Sequence, residues 1–593
     1  MNRPFTPGAT MVPVPIEQPR AGWWRWLPGA AVVRAYHRRD LSRDLLAGVV
    51  ITAFLVPVGM AYAQASGVPP VYGLYATIVP LLVYALMGPS RILVLGPDSS
   101  LAPLIAATIA PLALGDPDRA VALAGALAIG CGLLCVAAGV ARFGFVTELL
   151  STPVRYGYLN GIAVVVIVSQ LPTMLGIELD ADTTIGKAVD TARAVADGDV
   201  DAASLLLGLT SLVGIVVVRR FRPDVPGVLL AVVGSMIAVA VFDLRDRLEL
   251  VGRLPGGLPS PAVPDLRWSD VGPVAVGAFT VAVVALTDTS ILSRSFAARR
   301  GQRVDADQEL VALGAANLAA GLTQGFAVSA SSSRTPVAVS AGARTQLTGA
   351  VAAVLIAFLL LVAPDALKTL PTATLAAVVM AAVVELFVVG GVVQLARTRR
   401  IEFVFSMVAL VGVVVLGVIW GIGLAIGISL MALIQKAWRP YTTTLVRVDG
   451  MKGYHDVDRH PEGKRIPGLV LYRFDAPLFF ANAELFRDEV LARVGAPDPA
   501  RWVVVTAEPI TDIDATADEM LVELHRELAD DGVVLAFAEL KGVVRDRLKR
   551  SGTHDVIGID HFFPTIGQAV RAYVDATGIG WVDWEDEGDS TPA

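Results

Sequence analysis

Cysteine and histidine are almost missing from this chain. Two Cys and six His stand among 593 residues, and none of the His lies inside an apolar run, so an intramembrane histidine relay or a haem site finds no support. Cys131 and Cys135 are four apart on one face of an apolar stretch, a setting for small hydrophobes rather than for a disulfide or metal ligands. No GxxxxGK[ST] pattern occurs, so the chain is not expected to carry its own ATPase. No nucleophile–base pair or metal-ligand cluster stands out; neither an enzyme nor a cofactor is expected. Charge is scarce too. Charged residues make up 17% of the chain against 54% hydrophobic ones, with mean hydropathy +0.62, too apolar for one ordinary soluble protein of this length. The net charge of -7 argues against a nucleic-acid partner.

What is present is a series of apolar stretches. They fall at about 45–63, 70–87, 98–113, 119–139, 155–175, 202–218 and 226–243, then, after a polar Pro/Gly-rich loop, at 272–292, 308–323, 334–342, 345–363, 370–389, 402–419 and 421–437. That is seven on each side of the loop, with a short polar member third in each set. An odd number per half puts the halves in opposite orientation and suggests an inverted repeat. Arg34, Arg38, Arg39 and Arg43, then Arg219, Arg220 and Arg222, then Arg294, Arg299, Arg300 and Arg303, then Arg397, Arg399 and Arg400 all fall on one side. The loop 178–201, with seven acidic residues against Lys187 and Arg193, falls on the other. Basic loops stay inside, so both termini of a multi-pass plasma (inner) membrane protein are expected in the cytoplasm. Residues 1–43 are basic and Pro-rich with WWRW at 23–26, an amphipathic lead-in rather than a removable signal peptide.

The two short members carry the chemistry. Residues 328–349 read VSASSSRTPVAVSAGARTQLTG, with five hydroxyls from Ser329 to Thr335 and a guanidinium at Arg334; residues 95–103 read LGPDSSLAP. An isolated Arg in hydrocarbon costs about 2.5 kcal/mol or several times that, so such a segment must line something polar. Interrupted helices in corresponding places of two halves point to a midplane transport site where half-helix N-termini face an anion. Arg334 is the first candidate for an anion ligand, since a guanidinium stays charged and can clamp an oxyanion through two parallel hydrogen bonds; the competing reading pairs it with Asp288. Ser332, Ser333 and Thr335 offer hydroxyls or helix-start amides, or cap the helix. Asp98, Ser99 and Ser100 open the other half-helix. Asp98 either caps that helix or takes up a proton that couples to anion entry. Asp288, an acid within the eighth stretch, is a candidate proton site or a partner for Arg334. Glu385 and Arg344 read as rim residues.

From about Ala437 the composition becomes that of a soluble domain. Strands are expected at 469–474, 502–506 and 533–537, alternating with helices at about 482–494, 516–530, 541–551 and 564–576, which makes a small α/β domain. The acidic end reads as disordered.

The stretch PVGMAYAQASGVPPVYGLYATIVPLLVYALMGPSR at 57–91, GPDSS at 96–100, residues 288–326 beginning DTSILSRSFAARRGQ, and SSRTPVAVSAGARTQLTG at 332–349 resemble the sulfate permease (SulP) family of anion transporters. The resemblance covers Asp44 to about Val574. It implies a helical membrane protein of fourteen transmembrane segments in a 7+7 inverted repeat, core and gate domains moving against each other, and an anion held between the third and tenth segments. It also implies a C-terminal α/β STAS domain and a homodimer. The division expected is a cytoplasmic segment 1–43, a transporter domain 44–437, a STAS domain 438–576 and an acidic tail 577–593. Asp288 matches the family's acidic eighth-segment position, Ser333 and Arg334 the start of the tenth segment, and residues 96–100 the start of the third. Val58 stands where many relatives have Gln, and Asp98 where many have an apolar or aromatic residue, a departure that favours proton coupling or another anion charge state. In the tail, DIDATADEML at 512–521 takes the place of the STAS loop-to-helix motif, with Ala515 where related regulators carry a phosphorylatable Ser. The function expected is secondary active transport of a small oxyanion, sulfate first, by alternating access, with a proton or sodium co-substrate. The rivals are a bicarbonate or dicarboxylate carrier, a nucleobase symporter sharing this architecture, and a membrane-anchored signalling protein whose tail is the output.

Overall fold

The computed structural model describes residues 26–30, 36–144, 151–179, 181, 183–222, 225–299, 304–331, 334–495 and 499–581. The chain forms two compact units, Met1–Ser429 and Leu430–Ala593.

In the first half of the helical unit run α1 (Arg38–Ala65), α2 (Val71–Met87), a two-residue strand β1 (Leu95–Gly96), α3 (Ala102–Ala113), α4 (Pro117–Val140), α5 (Thr152–Leu175), α6 (Thr184–Asp197), α7 (Ala202–Phe221) and α8 (Gly227–Val241). In the second come α9 (Trp268–Arg299), α10 (Ala306–Leu322), β2 (Ser329–Ala330), α11 (Arg334–Ser340), α12 (Leu347–Val362), α13 (Thr372–Val383), α14 (Val389–Thr398), α15 (Arg400–Leu416) and α16 (Val418–Trp438). Every apolar stretch of the sequence is met by one of these helices; α6 and α14 are additions with mixed polar and apolar faces. Seven helical stretches among the described residues are long and apolar enough to cross a bilayer by length and composition. The apolar helices carry exposed side chains on their outward faces, Val213 on α7, Leu230 and Ile237 on α8, Trp420 and Ile434 on α16, as lipid-facing side chains must be.

Helix starts follow local chemistry. The Asp116 carboxylate accepts from the amides of Asp118 (3.0 Å) and Arg119 (3.3 Å), with Pro117 in the first turn, and Asp201 and Asp305 do the same for α7 and α10. Such caps are each worth about 0.5–2 kcal/mol.

Two seams of small residues bring helices to backbone contact. Along α4 and α10, a Cβ on Gly132 would lie 2.7 Å from the Gly314 carbonyl oxygen, and one on Gly321 2.4 Å from that of Gly125. Along α5 and α15, a Cβ on Gly157 would overlap the Ser406 carbonyl oxygen. Only glycine permits either approach. Helices α1, α2, α4, α9, α10 and α12 pack together around the first seam, while α5, α7, α13 and α15 pack around the second.

The first helix of each half docks the fourth helix of the other. Asp44, at the start of α1, accepts from the amides of Arg344 (2.7 Å) and Thr345 (3.1 Å) and from the hydroxyls of Thr345 (2.7 Å), Thr348 (3.1 Å) and Tyr36 (3.0 Å), so it caps α12. Asp270, in the first turn of α9, accepts from Nη2 of Arg119, on the first turn of α4, through both carboxylate oxygens at 3.1 Å, and from the Arg267 amide and the Ser269 hydroxyl at 3.3 Å each. Arg344 thus contributes its amide to a buried dock. Glu385 pairs with Arg219.

The second unit is a six-stranded sheet in the order β4-β3-β5-β6-β7-β8, with β3 (Thr442–Arg447), β4 (Tyr454–Asp456), β5 (Leu469–Phe474), β6 (Trp502–Thr506), β7 (Val534–Ala538) and β8 (Phe562–Phe563). Strands β5 to β8 are parallel; β3 runs antiparallel to both β4 and β5. One face buries Phe474, Phe486, Val505, Leu521 and Phe537 under α17 (Ala483–Val494) and α18 (Ala515–Asp530); the other buries Leu471, Val504 and Tyr573. The three strands expected from the sequence are its parallel centre, and the outer strands β3 and β4 on one side and β8 on the other are additional. Asp514 caps α18 by accepting from Ala517 N at 2.9 Å, leaving Ala515 as the first helical residue and Thr516 exposed.

Candidate functional site: two helix tips joined by a strand pair

The interrupted segments meet as a minimal antiparallel sheet, Leu95 opposite Ala330 and Gly96 opposite Ser329. Pairing solves the problem both segments pose in an apolar interior, because each supplies the backbone partners the other lacks. The second strand is pinned from behind. The amide nitrogen of Asn317 donates to the carbonyls of Leu313 and Val328, both at 3.0 Å, and its oxygen accepts from Val328 N at 2.8 Å. Thr289 Oγ1 accepts from Ala330 N at 3.2 Å. The first strand is pinned from the front, where Thr335 Oγ1 accepts from Val94 N at 3.2 Å.

Arg334 opens α11 and lies fully buried against this crossing. Its Nη1 donates to the Pro97 carbonyl, and its Nη2 to the carbonyls of Gly96 (3.0 Å) and Ser329 (3.1 Å); Asp98 Oδ1 is 3.5 Å from Nη2. Nε has no partner among the described residues. The nearest carboxylate to the guanidinium is therefore that of Asp98, not that of Asp288. Gly96 makes the approach possible: at φ +156° a Cβ there would stand 2.8 Å from Nη1.

On the first tip, Asp98 Oδ2 accepts from the Ser100 amide (3.2 Å) and from the Ser100 hydroxyl (2.8 Å), so the carboxylate closes the turn that leads into α3. The same hydroxyl lies 2.9 Å from Oδ2 of Asp288, on α9. A hydroxyl has one hydrogen to give, so two carboxylates about one Ser oxygen are fully satisfied only when one of them carries a proton. Ser99 is buried, with Tyr62 of α1 against it and within electrostatic reach of Asp98 and Arg334. Asp98, Ser99, Ser100, Asp288, Arg334 and Thr335 are thus gathered around one crossing; Ser332 and Ser333 lie outside the described residues.

Two cavities flank α1. One of about 500 Å³ is lined by Phe54 and Val58 of α1, Val337 of α11, Ile215 and Arg219 of α7, and Glu385. The other, about 420 Å³, lies at the far ends of α1 and α3, with Gln64, Ile109, Glu249 and Thr372 in its wall. Neither is lined by the acids or the guanidinium at the crossing.

Several contributing residues give little sign of themselves in the sequence. Asn317 is a lone amide in an apolar run, and Glu309, one turn inside α10, is buried with Tyr84 (2.5 Å) and Ser293 (2.6 Å) donating to it. An acid placed among the polar residues of a helix start looks like an end-of-helix charge. Only a polar residue counted against the buried face would have flagged either one.

With this geometry in hand, comparison with known proteins is specific. A model of the sulfate permease family matches residues 41–409, and a model of the STAS domain matches residues 460–569. A probable sulfate transporter of Mycobacterium tuberculosis is 41% identical over 550 residues, covering 92% of this chain and 98% of its own. Human solute carrier family 26 member 6 is 31% identical over 495 residues, which are 79% of this chain and 64% of its own. Among solved structures, the murine solute carrier 26 family member A9 anion transporter in the inward-facing state superposes with a TM-score of 0.86 at 22% identity, over 93% of this chain and 94% of its own. The transmembrane domain of a cyanobacterial bicarbonate transporter superposes with a TM-score of 0.57 at 24% identity, over 65% of this chain and 98% of its own. At those identities the likeness is one of fold.

Proposed function

This chain belongs to the sulfate permease family, and from that premise we propose that it is a secondary transporter of a small oxyanion, sulfate first, working by alternating access in the plasma (inner) membrane. Residues 44–437 carry transport, the STAS domain at 438–576 lies in the cytoplasm with both termini, and the working unit is a homodimer. The observation that carries the reading is the crossing of the two tips with a buried guanidinium in it. Helix-start amides and one fixed cation, away from water, make a place where a small anion gains what it loses in hydration.

The anion is bound by Ser99, Ser100, Ser332, Ser333 and Thr335 at the tips, with Arg334 supplying charge. In the state described the fork of Arg334 is engaged by carbonyls, so its first task is to hold the crossing and its second to lend the site a positive field. Asp98 occupies the amide of Ser100 and must yield it for the anion to enter. Protonation does this, since a neutral carboxyl is a weaker acceptor and no longer repels the substrate. Ser100, bonded to both Asp98 and Asp288, is the path by which that proton is shared, and the transport is proton-coupled symport through these two acids.

The test is uptake of labelled sulfate into proteoliposomes, with and without imposed pH and sodium gradients and with unlabelled anions as competitors. Sulfate uptake that rises with an inward proton gradient and is competed by other dianions is expected. Uptake competed by bicarbonate or a dicarboxylate but not by sulfate would reassign the substrate, and protection by uracil with no response to oxyanions would replace the reading altogether.

A further inference from the structure

Glu309 is 1% exposed, and its carboxylate makes one hydrogen bond through each oxygen: Oε1 accepts from the Tyr84 hydroxyl at 2.5 Å and Oε2 from the Ser293 hydroxyl at 2.6 Å. It makes no ion pair among the described residues. The buried acids of the two docks are held differently. Asp44 has two backbone amides among its donors and Asp270 has a guanidinium, groups that can only donate and so fix a carboxylate in its ionised form. A hydroxyl can donate or accept. Tyr84 and Ser293 therefore serve Glu309 in either state, donating to the carboxylate or, with one O–H turned away, accepting from the acid. A buried acid that no neighbour locks into one charge state is a place where a proton can come and go.

Helix α10 packs on α2, α4 and α9. From α2 comes Tyr84; from α9 come Ser293 and, exposed beside it, Arg294. Helix α4 approaches this end of α10 through Gly139, and its charges, Asp118 and Arg119, lie at its other end, leaving Cys131 and Cys135 as the titratable groups of its near half. Glu309 stands one turn inside the start of α10, past the exposed cap Asp305, at the end flanked by the basic residues of 294–303 and therefore the cytoplasmic end in the reading above. Ser293 follows Asp288 on α9 by five residues, about 7.5 Å along the axis. Between the two, Ser290 is buried and its hydroxyl has no partner among the described residues.

We propose that Glu309 is a further proton-binding site, the group through which a proton that entered with the anion at Asp98 and Asp288 leaves for the cytoplasm. The proton passes from the Asp288 carboxyl to the Glu309 carboxylate with the Ser290 hydroxyl as relay, and cytoplasmic water then takes it, which returns Glu309 to the carboxylate. Exchange of one sulfate for another needs no such step, because the protein can stay protonated throughout. Net uptake does need it.

This rests on the proton-coupled reading above and deepens it. The experiment compares two rates in proteoliposomes of the full chain: sulfate uptake driven by an inward proton gradient, and sulfate–sulfate exchange at equal pH. E309Q is expected to lower driven uptake at least tenfold and exchange less than threefold. Equal loss of both rates would make Glu309 a clamp between helices and nothing more, and driven uptake at the wild-type rate would mean that the proton leaves by another way; either result overturns the assignment. Wild-type uptake that ignores the proton gradient overturns the coupled reading itself. Y84F and S293A keep the acid but each remove one donor from its ionised form, so half-maximal driven uptake should move to a higher internal pH by about half a unit or more. These two variants carry the test if E309Q does not insert, and an unmoved pH profile in both overturns the proposal.

Discussion

The two halves of the helical unit do the same thing at their outer ends and opposite things at their tips. Each first helix begins with a buried acid that docks the start of the other half's fourth helix: Asp44 on α12, Asp270 on α4. At the crossing, by contrast, the residue five positions beyond the first strand residue is Ser100 in one half (95 to 100) and Arg334 in the other (329 to 334). One faces two carboxylates; the other faces three carbonyls. A repeat can keep its scaffold symmetric because docking asks only for a capped helix. The tips diverge instead: the first carries the acid Asp98 and the second the cation Arg334, the asymmetry that the proposed anion site calls for.

The comparison can be broken at the tips first. Arg334→Ala should abolish anion uptake while the protein still inserts, because three carbonyls lose their donor and the crossing its buried cation; unchanged uptake would remove Arg334 from the site. Gly96→Val should act almost as strongly from the other half, since its Cβ would displace the guanidinium. The docks come next. Asp44→Ala leaves two amides and three hydroxyls without an acceptor, and at about 1–3 kcal/mol for each buried orphan it should destabilise the purified protein by about 3 kcal/mol or more, read as a fall in melting temperature. Asp270→Ala orphans mainly Arg119, whose side chain is 19% exposed, and should cost less, about 1–3 kcal/mol. Equal losses would mean the two docks are alike in energy as well as in place. Ser100→Ala should leave stability within about 1 kcal/mol of wild type and remove the dependence of uptake on an imposed pH gradient. The smallest effect belongs to Glu385→Gln, at the partly exposed pair with Arg219, expected to change uptake less than threefold.

Much of this architecture is legible in the sequence because a bilayer imposes it. The apolar stretches, the short polar member in each set and the central strands of the tail are local patterns of hydrophobicity, and helices or strands stand at each. The crossing is less legible. Nothing in LGPDSS or SASSSR says that two-residue strands pair, or that the Arg334 fork folds back on Gly96 and Pro97 rather than forward to a ligand. Those contacts join residues more than two hundred positions apart. Asp44 and Asp270 escape for the same reason: each looks like an ordinary charge near a helix start until its partner from the other half is beside it. In the tail, β3 and β4 follow directly on the last apolar helix, where the change of period is too short to read.

The glycine seams carry a mechanical implication. Where two helices touch backbone to backbone, there is no layer of side chains left to shear, so α4 with α10, and α5 with α15, can each travel only as a single stiff plate. Slippage is confined to the plane between them, and a bulky residue at Gly132 or Gly157 would not merely loosen a contact but add a joint where the machine has none.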